Sequence, residues 1–252
     1  MKGYVLITGA TSGFGEACAD KFASNGYPVI ITGRRKERLE LVKSNLAKYN
    51  VDVIPLCFDV RSQAEVDSAF DLIPDEVKKQ IAILINNAGL AAGRDPIDKG
   101  SVADWEQMID TNIKGLLYVT RNVVPYMQAN KAGHIINLGS IAGKEVYPMG
   151  NVYCATKHAV DALSRSMRID LVADNIKVTN IAPGAAETEF SLVRFKGDQE
   201  KADATYAGFE PLVAEDIAET IYFVATTPKH VTINDLVIMP TAQANATIFH
   251  RK

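Results

Sequence analysis

The sequence predicts an α/β fold: a single doubly wound parallel sheet of about seven strands with helices on both faces. Short apolar runs rich in β-branched residues recur along the chain without alternating apolar and polar side chains, which is typical of strands buried on both faces. Segments with apolar residues three and four positions apart separate these runs and indicate amphipathic helices. Strands that alternate with helices in this way form a parallel sheet covered on both sides.

The elements are predicted in the following order. Strands are predicted at residues 4–8, 29–32, 53–57, 81–85, 134–138, 177–181 and 236–239. Helices are predicted at residues 13–25, 36–48, 63–72, 102–126, 153–172 and 214–225. The chain shows no internal repeat and no low-complexity linker, so one domain over residues 1–252 is predicted. The polar, glycine-containing stretch 191–208 is interpreted as a lid.

Composition excludes several classes of protein. The 252 residues are 47% hydrophobic and 23% charged, which is a globular composition. The formal net charge of −3 lacks the basic excess of a nucleic-acid-binding protein. Three cysteines without a CxxC pair favour neither disulfides nor a thiolate metal site, and no metal is predicted. No apolar run approaches the ~18 residues of a membrane span, so we expect a cytoplasmic protein without a membrane partner.

A glycine-containing turn, TGATSGFG, follows the first predicted strand and opens the first helix. Glycines let the backbone approach a pyrophosphate closely, and the unpaired N–H groups of a helix N-terminus favour an anion. The turn therefore predicts a dinucleotide site. The residues predicted to contact the cofactor there are Gly9, Thr11, Ser12, Gly13, Phe14 and Gly15.

Two arginines, Arg34 and Arg35, follow the second predicted strand. A carboxylate at this point would bind the ribose 2′-hydroxyl of NAD, whereas a guanidinium pairs with the 2′-phosphate of NADP. The alternative is a solvated helix N-terminus, where the helix dipole disfavours cations. The pair therefore favours NADP(H) as cofactor.

A second set of residues carries acid–base chemistry. Ser140 follows the fifth predicted strand, and Tyr153 and Lys157 lie four positions apart on one face of a long helix. A free phenol has a pKa of about 10, and a neighbouring ammonium lowers that pKa toward a catalytic range. Ser140 would hydrogen-bond the reacting oxygen and hold it beside the phenol.

Taken together, the motifs resemble the short-chain dehydrogenase/reductase family over essentially the whole chain. The marks of that family occur in order: TGATSGFG, NNAG at 86–89, Asn112, Ser140, Tyr153, Lys157 and Pro183-Gly184. The resemblance implies a Rossmann-type domain in which residues 1–90 mainly bind the dinucleotide. Residues 91–252 then form the catalytic half, with a lid at 184–208, and the protein is a homotetramer.

The resemblance also implies individual roles. Tyr153 is the acid/base, Ser140 orients the substrate, and Lys157 binds the nicotinamide ribose and lowers the pKa of Tyr153. Asn112 holds a water that links Lys157 to solvent. The other implied cofactor contacts are Asp59 beside the adenine, Asn87 at the adenosine ribose, and Pro183, Gly184 and Thr188 after the sixth strand.

A narrower resemblance concerns the substrate. The stretch 184–197, together with GNVYCATK and TAQANATIFH, resembles NADP-dependent 3-hydroxy acid dehydrogenases. It implies oxidation of the 3-hydroxyl of a small acid of the serine, allo-threonine, 3-hydroxyisobutyrate or 3-hydroxypropionate type, and reduction of the matching 3-oxo acid. Ala185 and Ala186 depart from the bulkier aliphatic residues usual in that group, and this departure loosens the expected contact with the nicotinamide amide.

Such a substrate needs a cation, because burying an unpaired carboxylate costs several kcal/mol. Arg194 is the favoured candidate, since its fork takes both carboxylate oxygens and a lid position couples binding to closure. Lys144 and Lys196 are the other candidates, and a solvated lid surface is the alternative interpretation.

Two other functions stay open. One is an NADPH-dependent carbonyl reductase for 3-oxoacyl thioesters, sugars or xenobiotic ketones. The other is a non-catalytic NADP-sensing protein, which the presence of Ser140, Tyr153, Lys157 and Asn112 together disfavours.

Overall fold

The computed structural model describes residues 2–252. Its strands are β1 (Tyr4–Ile7), β2 (Val29–Gly33), β3 (Val53–Cys57), β4 (Ile81–Asn86), β5 (Gly133–Leu138), β6 (Ile176–Pro183) and β7 (Asp235–Ile238). They form one parallel sheet in the order β3-β2-β1-β4-β5-β6-β7. The predicted fold class is confirmed, and each predicted strand end lies within two residues of the observed one.

The helices are α1 (Gly13–Ser24), α2 (Lys36–Leu46), α3 (Gln63–Asp71), α4 (Asp75–Lys78), α5 (Val102–Ile109), α6 (Leu116–Ala129), α7 (Asn151–Leu171), α8 (Glu189–Arg194), α9 (Gln199–Tyr206) and α10 (Ala214–Ala225). Side chains of α1, α2 and α10 bury one face of the sheet. Side chains of α3, α6 and α7 bury the other. Alternate residues of β1 enter opposite cores, Val5 and Ile7 one and Leu6 the other, which explains why the strand is apolar throughout.

The prediction of one continuous helix at 102–126 is wrong, because the structure has two α-helices there. A π-helical turn, Asp110–Gly115, separates α5 from α6. Gly115 packs directly on Val60, and a Cβ at that glycine would lie 2.8 Å from a methyl group of Val60. The same turn places the Asn112 side chain within hydrogen-bonding distance of the Leu90 N–H and carbonyl oxygen. Such turns frequently mark functional sites, and this one places a polar side chain beside the cavity described below.

The lid contains two short helices, α8 and α9, where the sequence predicted no helix. Each of these short helices has its own side-chain cap. Thr188 Oγ1 accepts a hydrogen bond from the Phe190 N–H at 3.2 Å, and Asp198 accepts one from the Lys201 N–H at 3.1 Å. Local capping therefore fixes helices in a stretch whose composition alone indicated a loop.

The strand order reverses direction between β1 and β4, since the chain moves outward on one side through β2 and β3 and on the other through β5, β6 and β7. In a doubly wound sheet a crevice opens at this point, at the carboxyl ends of the strands. Among residues 2–252 no helix combines the length and the apolar character that a membrane crossing requires.

Candidate active site

A cavity of about 1040 Å³ lies at the carboxyl ends of the strands. Its wall combines the turns that follow β1 to β5, the start of α7, the lid and the C-terminal segment. Parts near both ends of the chain, from Gly9 to Arg251, thus meet around one space. Its size is in the upper range for a pocket that holds a cofactor and a small substrate together.

The glycine turn is shaped by close approaches. Gly9 has a φ of +67° and Gly13 a φ of +54°, a conformation that L side chains rarely adopt. A Cβ at Gly15 would lie 2.3 Å from the Gly9 carbonyl oxygen, so only glycine lets the start of α1 come this close to the turn. Gly15 itself does not line the cavity, whereas Gly9, Thr11, Ser12, Gly13 and Phe14 do. Backbone N–H groups at the start of α1 make this turn a place for the phosphates of a dinucleotide.

Asn87 joins the turn after β4 to the turn after β1. Its Nδ2 donates to the carbonyl oxygens of Thr8 at 2.8 Å and Gly9 at 3.2 Å. In return, Thr8 Oγ1 accepts from the backbone N–H groups of Asn87 and Ala88. These bonds hold together the two loops between which the crevice opens.

The two arginines behave differently. Arg35 donates to Thr11 Oγ1 at 3.0 Å and to Ser12 Oγ at 2.9 Å, and its Nη1 lies 3.0 Å from a carboxylate oxygen of Glu189. Arg34 Nη1 lies 3.6 Å from Asp59 Oδ2. Both guanidinium groups line the cavity at the end where a 2′-phosphate would bind, with Arg35 held in a fixed orientation by the glycine turn.

Asp59 also lines this end of the cavity and is held by Arg61. Burial acts to raise the pKa of Asp59, but hydrogen bonds from the Arg61 side chain and backbone, together with Arg34, outweigh it, and the pKa is lowered. Asp59 is therefore a carboxylate at neutral pH.

Three residues form the acid–base set. Tyr153 and Lys157 lie one turn apart on α7, with only 8% and 7% of their surfaces exposed. Lys157 Nζ donates to the Leu138 carbonyl oxygen at 2.7 Å and lies 6.0 Å from the centre of the Tyr153 ring. Ser140 follows β5, its Oγ accepts from the Ala142 N–H at 3.1 Å, and it faces the same cavity.

Burial dominates the acidity of both α7 side chains. Burial raises the pKa of Tyr153, the neighbouring Tyr147 raises it further, and a hydrogen bond with Ser140 and the charge of Arg194 only partly oppose this. Burial also lowers the pKa of Lys157 to about 8.

Asn112 joins two segments around the site. Its Oδ1 accepts from the Leu90 N–H at 2.8 Å, and its Nδ2 donates to the Leu90 carbonyl oxygen at 2.8 Å and to Thr156 Oγ1 at 3.0 Å. A Cβ at Gly89 would meet both Asn112 Oδ1, at 3.2 Å, and Lys157 Nζ, at 3.5 Å. The amide and the ammonium therefore face the same narrow space beside Gly89.

Among the three lid or loop cations, the structure separates Arg194 from the others. Arg194 lines the cavity, and its guanidinium carbon lies 5.6 Å from the centre of the Tyr153 ring. Two of its nitrogen atoms, Nε and Nη2, are buried and have no hydrogen-bond partner within residues 2–252. Buried guanidinium donors without a protein partner can bind an anion.

The prediction for Lys144 is corrected by the structure. Its Nζ is held by carboxylate oxygens of Asp161 at 2.6 Å and Asp235 at 2.8 Å, and it does not line the cavity. Lys196 Nζ likewise pairs with Asp104 at 2.8 Å, outside the cavity wall. Their charges are already matched by protein carboxylates, which leaves Arg194 facing the substrate space.

Comparison with known proteins agrees with this geometry. The model of the family described as short chain dehydrogenase matches residues 3–198. The NADP-dependent 3-hydroxy acid dehydrogenase YdfG of Salmonella typhi is 49% identical over 243 residues, which are 96% of each chain. Sulfoacetaldehyde reductase 2 of Chromohalobacter salexigens is 48% identical over 97% of this chain and 96% of its own.

A solved structure described as the closed form of serine dehydrogenase complexed with NADP+ has a TM-score of 0.91 at 48% identity, and the match covers 99% of this chain and 100% of that one. The chain belongs to the short-chain dehydrogenase family.

Sequence reasoning missed several residues around the cavity of this short-chain dehydrogenase. Tyr147 lies between two guanidinium groups, with Arg94 5.9 Å and Arg194 5.5 Å from its ring centre. Gln243 Oε1 accepts from the Ala185 N–H at 2.7 Å and fixes the start of the lid. Tyr147 lies in no motif singled out above, and TAQANATIFH contains Gln243 without indicating its contact, since the contact that defines each residue comes from a distant part of the chain.

The C-terminal segment also lines the cavity of this short-chain dehydrogenase. The Arg251 guanidinium carbon lies 5.0 Å and 5.2 Å from the ring centres of Phe209 and Phe249, and the Lys252 N–H donates to the Gly208 carbonyl oxygen at 2.8 Å. This segment holds the end of the lid. The sequence TAQANATIFH pointed to a resemblance but not to this contact.

Proposed function

We propose that the protein is an NADP-dependent oxidoreductase that oxidises the 3-hydroxyl of small 3-hydroxy acids and reduces the corresponding 3-oxo acids. The observation that carries the proposal is the buried, unpartnered guanidinium edge of Arg194 above the Tyr153 ring. A hydroxyl at Tyr153 and a carboxylate at Arg194 would belong to one small molecule. The names of the similar enzymes, which act on 3-hydroxy acids or serine, support the same class of substrate.

The residues present fit NADP(H), which supplies the hydride acceptor or donor when bound. The positive φ values of Gly9 and Gly13 leave the turn open for phosphates, and Arg35 is oriented by Thr11 and Ser12. Asp59, Asn87, Pro183, Gly184 and Thr188 would complete the contacts, with Arg34 beside Asp59. Residues 1–90 would thus mainly bind the dinucleotide, and residues 91–252, with the lid at 184–208, would form the catalytic half.

Proton transfer is assigned to Tyr153. With its pKa raised by burial, the phenol is protonated at neutral pH and donates its proton to the carbonyl oxygen of a 3-oxo acid during reduction. In oxidation the steps run in reverse: the phenol first loses its proton by way of Lys157 and the water at Asn112, and the phenolate then accepts the proton of the substrate hydroxyl. Ser140 holds the reacting oxygen, and Lys157 binds the nicotinamide ribose and returns the proton through a water at Asn112.

Assembly and location are part of the same proposal. We propose a homotetramer in the cytoplasm. The three cysteines are free thiols, which suits a reducing compartment. Exposed apolar side chains occur on both sides of the sheet, Ile169 on α7 and Phe223 on α10, and support contacts between subunits. Light scattering on the purified protein tests the mass, and a monomer at micromolar concentration would contradict the tetramer.

The function is tested by NADP-coupled oxidation of serine stereoisomers, allo-threonine, 3-hydroxyisobutyrate and 3-hydroxypropionate, each with its methyl ester. We expect turnover of at least one free acid and a much lower kcat/KM for its ester. Esters, thioesters or neutral ketones preferred over every acid would instead identify a carbonyl reductase. Tight NADP binding without turnover of any member of the panel would identify a sensor.

A second candidate substrate is a short sulfonated aldehyde. The relative named sulfoacetaldehyde reductase 2 favours it, and a guanidinium binds a sulfonate as it binds a carboxylate. Adding sulfoacetaldehyde to the panel in the reducing direction distinguishes the two anions by their kcat/KM values.

A further inference from the structure

Glu189 connects the lid to the two arginines at the cofactor end of the cavity. It is the first residue of α8, and its carboxylate lies 3.0 Å from Arg35 Nη1 and 3.7 Å from Arg38 Nη2. Arg38 lies on α2, one turn after Arg35. One lid carboxylate thus spans two cations of the dinucleotide-binding half.

Arg35 is held from two sides. Its Nη2 donates to Ser12 Oγ and Thr11 Oγ1, whereas its Nη1 donates to Glu189. The bonds to the glycine turn keep the guanidinium in place whichever anion occupies the Nη1 side. Exchange of one anion for another at that side requires no movement of Arg35.

Glu189 is ionised, and its ion pair with Arg35 is weak enough for another anion to replace the carboxylate. Burial acts to raise the pKa of Glu189, but the hydrogen bond and charge of Arg35, with smaller contributions from Ser12 and Arg38, lower it overall, so the side chain is a carboxylate at neutral pH. The side chains of Arg35 and Glu189 are 45% and 39% exposed. Ion pairs with this exposure contribute little to stability. A phosphate carries up to two charges and three acceptor oxygens and forms stronger charge-assisted bonds to the same guanidinium.

We propose that Glu189 competes with the 2′-phosphate of the cofactor for Arg35 and Arg38, so that phosphate binding breaks the ion pairs between lid helix α8 and the dinucleotide-binding half. The proposal rests on the proposed use of NADP. It adds Arg38 to the phosphate site and makes Glu189 a residue that weakens the affinity for NADP without affecting that for NAD.

The opposite end of α8 stays attached. The Gly93 N–H donates to the Arg194 carbonyl oxygen at 3.0 Å, and Lys196 pairs with Asp104. Loss of the ion pairs at Glu189 therefore leaves the N-terminal end of α8 held by the Thr188 cap and by the bond of the Glu187 N–H to Leu212, while the other end carries the guanidinium above Tyr153. The phosphate that distinguishes NADP from NAD is in this way coupled to the helix that carries Arg194.

The test uses two ligands that lack nicotinamide: adenosine 2′,5′-bisphosphate and adenosine 5′-monophosphate. Their dissociation constants are measured by calorimetry for the parent protein, Glu189→Gln and Glu187→Gln. Glu187 is an exposed carboxylate two residues earlier in the lid, with no ion pair among the described residues, so its variant loses the same charge. We expect Glu189→Gln to bind the bisphosphate about two- to fivefold more tightly, the range that an exposed ion pair contributes. The affinity for the monophosphate and the affinities of Glu187→Gln should stay unchanged.

Hydrogen exchange measures directly the effect on α8 of losing the Glu189 ion pairs. In the parent protein the bisphosphate should speed amide exchange in residues 189–194, and the monophosphate should not. In the Glu189→Gln variant, amide exchange in residues 189–194 should be fast before any ligand is added. Melting temperatures of the three proteins establish that the variants are folded.

An unchanged affinity of Glu189→Gln for the bisphosphate would overturn the proposal. Tighter binding without any change in exchange would also overturn it, because Glu189 would then act by repulsion from a distance. If the parent protein binds both ligands equally, the proposed preference for NADP itself fails. These outcomes separate the role of Glu189 from the identity of the cofactor.

Discussion

The phenol of Tyr153 is nearly buried and lies within reach of Ser140, Lys157 and Arg194, so its substitution removes proton transfer while leaving the cavity intact. Tyr153→Phe should lower kcat by about 10²- to 10⁴-fold, the usual contribution of a general acid–base group, with NADP affinity unchanged. Steady-state kinetics and cofactor titration measure the two effects. Tyr147→Phe, which removes the neighbouring phenol, is the control and should stay within tenfold of the parent. A Tyr153→Phe enzyme with similar activity would refute the assignment.

Arg194 is the residue that we propose binds the acid group of the substrate. Arg194→Ala should lower kcat/KM for a free 3-hydroxy acid by about 10- to 100-fold, since charge-assisted hydrogen bonds contribute roughly 1.5–3 kcal/mol. Turnover of the methyl ester should change little. Lys196→Ala serves as the control, because that neighbouring lid cation pairs with Asp104 instead. Equal losses on acid and ester would mean that Arg194 supports only the folding of the lid.

Among the structural elements, the π-helical turn at Asp110–Gly115 has the clearest effect on the site. Through Asn112 it ties Leu90, after β4, to Thr156 on the helix that carries Tyr153. Asn112→Ala leaves the buried N–H and carbonyl of Leu90 unpaired, so we expect the free energy of unfolding to fall by about 2–4 kcal/mol and kcat to fall with it. Denaturant titration measures the first quantity.

Thr156→Val is the matched variant for that turn. It removes the Asn112–Thr156 bond and the bond from the Thr156 hydroxyl to the Tyr153 carbonyl oxygen but leaves both bonds to Leu90, so it should cost about 1–2 kcal/mol. An Asn112→Ala protein as stable as the parent would show that the three hydrogen bonds contribute nothing net to folding.

For the whole molecule, Lys157 links catalysis to stability. Burial lowers its pKa to about 8 in the folded protein, whereas a lysine in the unfolded chain has its ordinary pKa of 10.5. A base with a lowered folded pKa destabilises the fold fully below pH 8, and the penalty disappears as pH rises from 8 to 10.5. Lys157→Met should therefore abolish most activity yet raise the free energy of unfolding at pH 7 by about 1–3 kcal/mol, after loss of its bond to Leu138 is included.

The gain should vanish toward pH 10.5, and chemical denaturation at pH 7 and pH 10 measures it. Lys144→Met is the contrasting variant. It removes the ammonium group that pairs with the carboxylates of Asp161 and Asp235, so it should be destabilising. A Lys157→Met protein less stable than the parent at pH 7 would contradict the assigned burial cost.

The sequence by itself determined the alternation of strands and helices, because that pattern depends on local periodicity and on burial of the sheet from both sides. It also placed Tyr153 and Lys157 on one helix face, since that needs only the four-residue spacing. The π-helical turn could not be predicted in this way. The turn is accompanied by contact of Gly115 with Val60 and of Asn112 with Leu90, and neither contact produces a periodic pattern in the sequence.

Only the tertiary structure decided which charged groups are available for binding. Lys144 and Arg194 are similar cations in sequence, but Lys144 meets Asp161 and Asp235, which lie 17 and 91 residues away, whereas two nitrogens of Arg194 are buried without a partner in the described chain. The raised pKa of Tyr153 is likewise decided by burial, which depends on every element packed around the phenol. Pairing and desolvation depend on distance in space, and a local sequence pattern contains only distance along the chain.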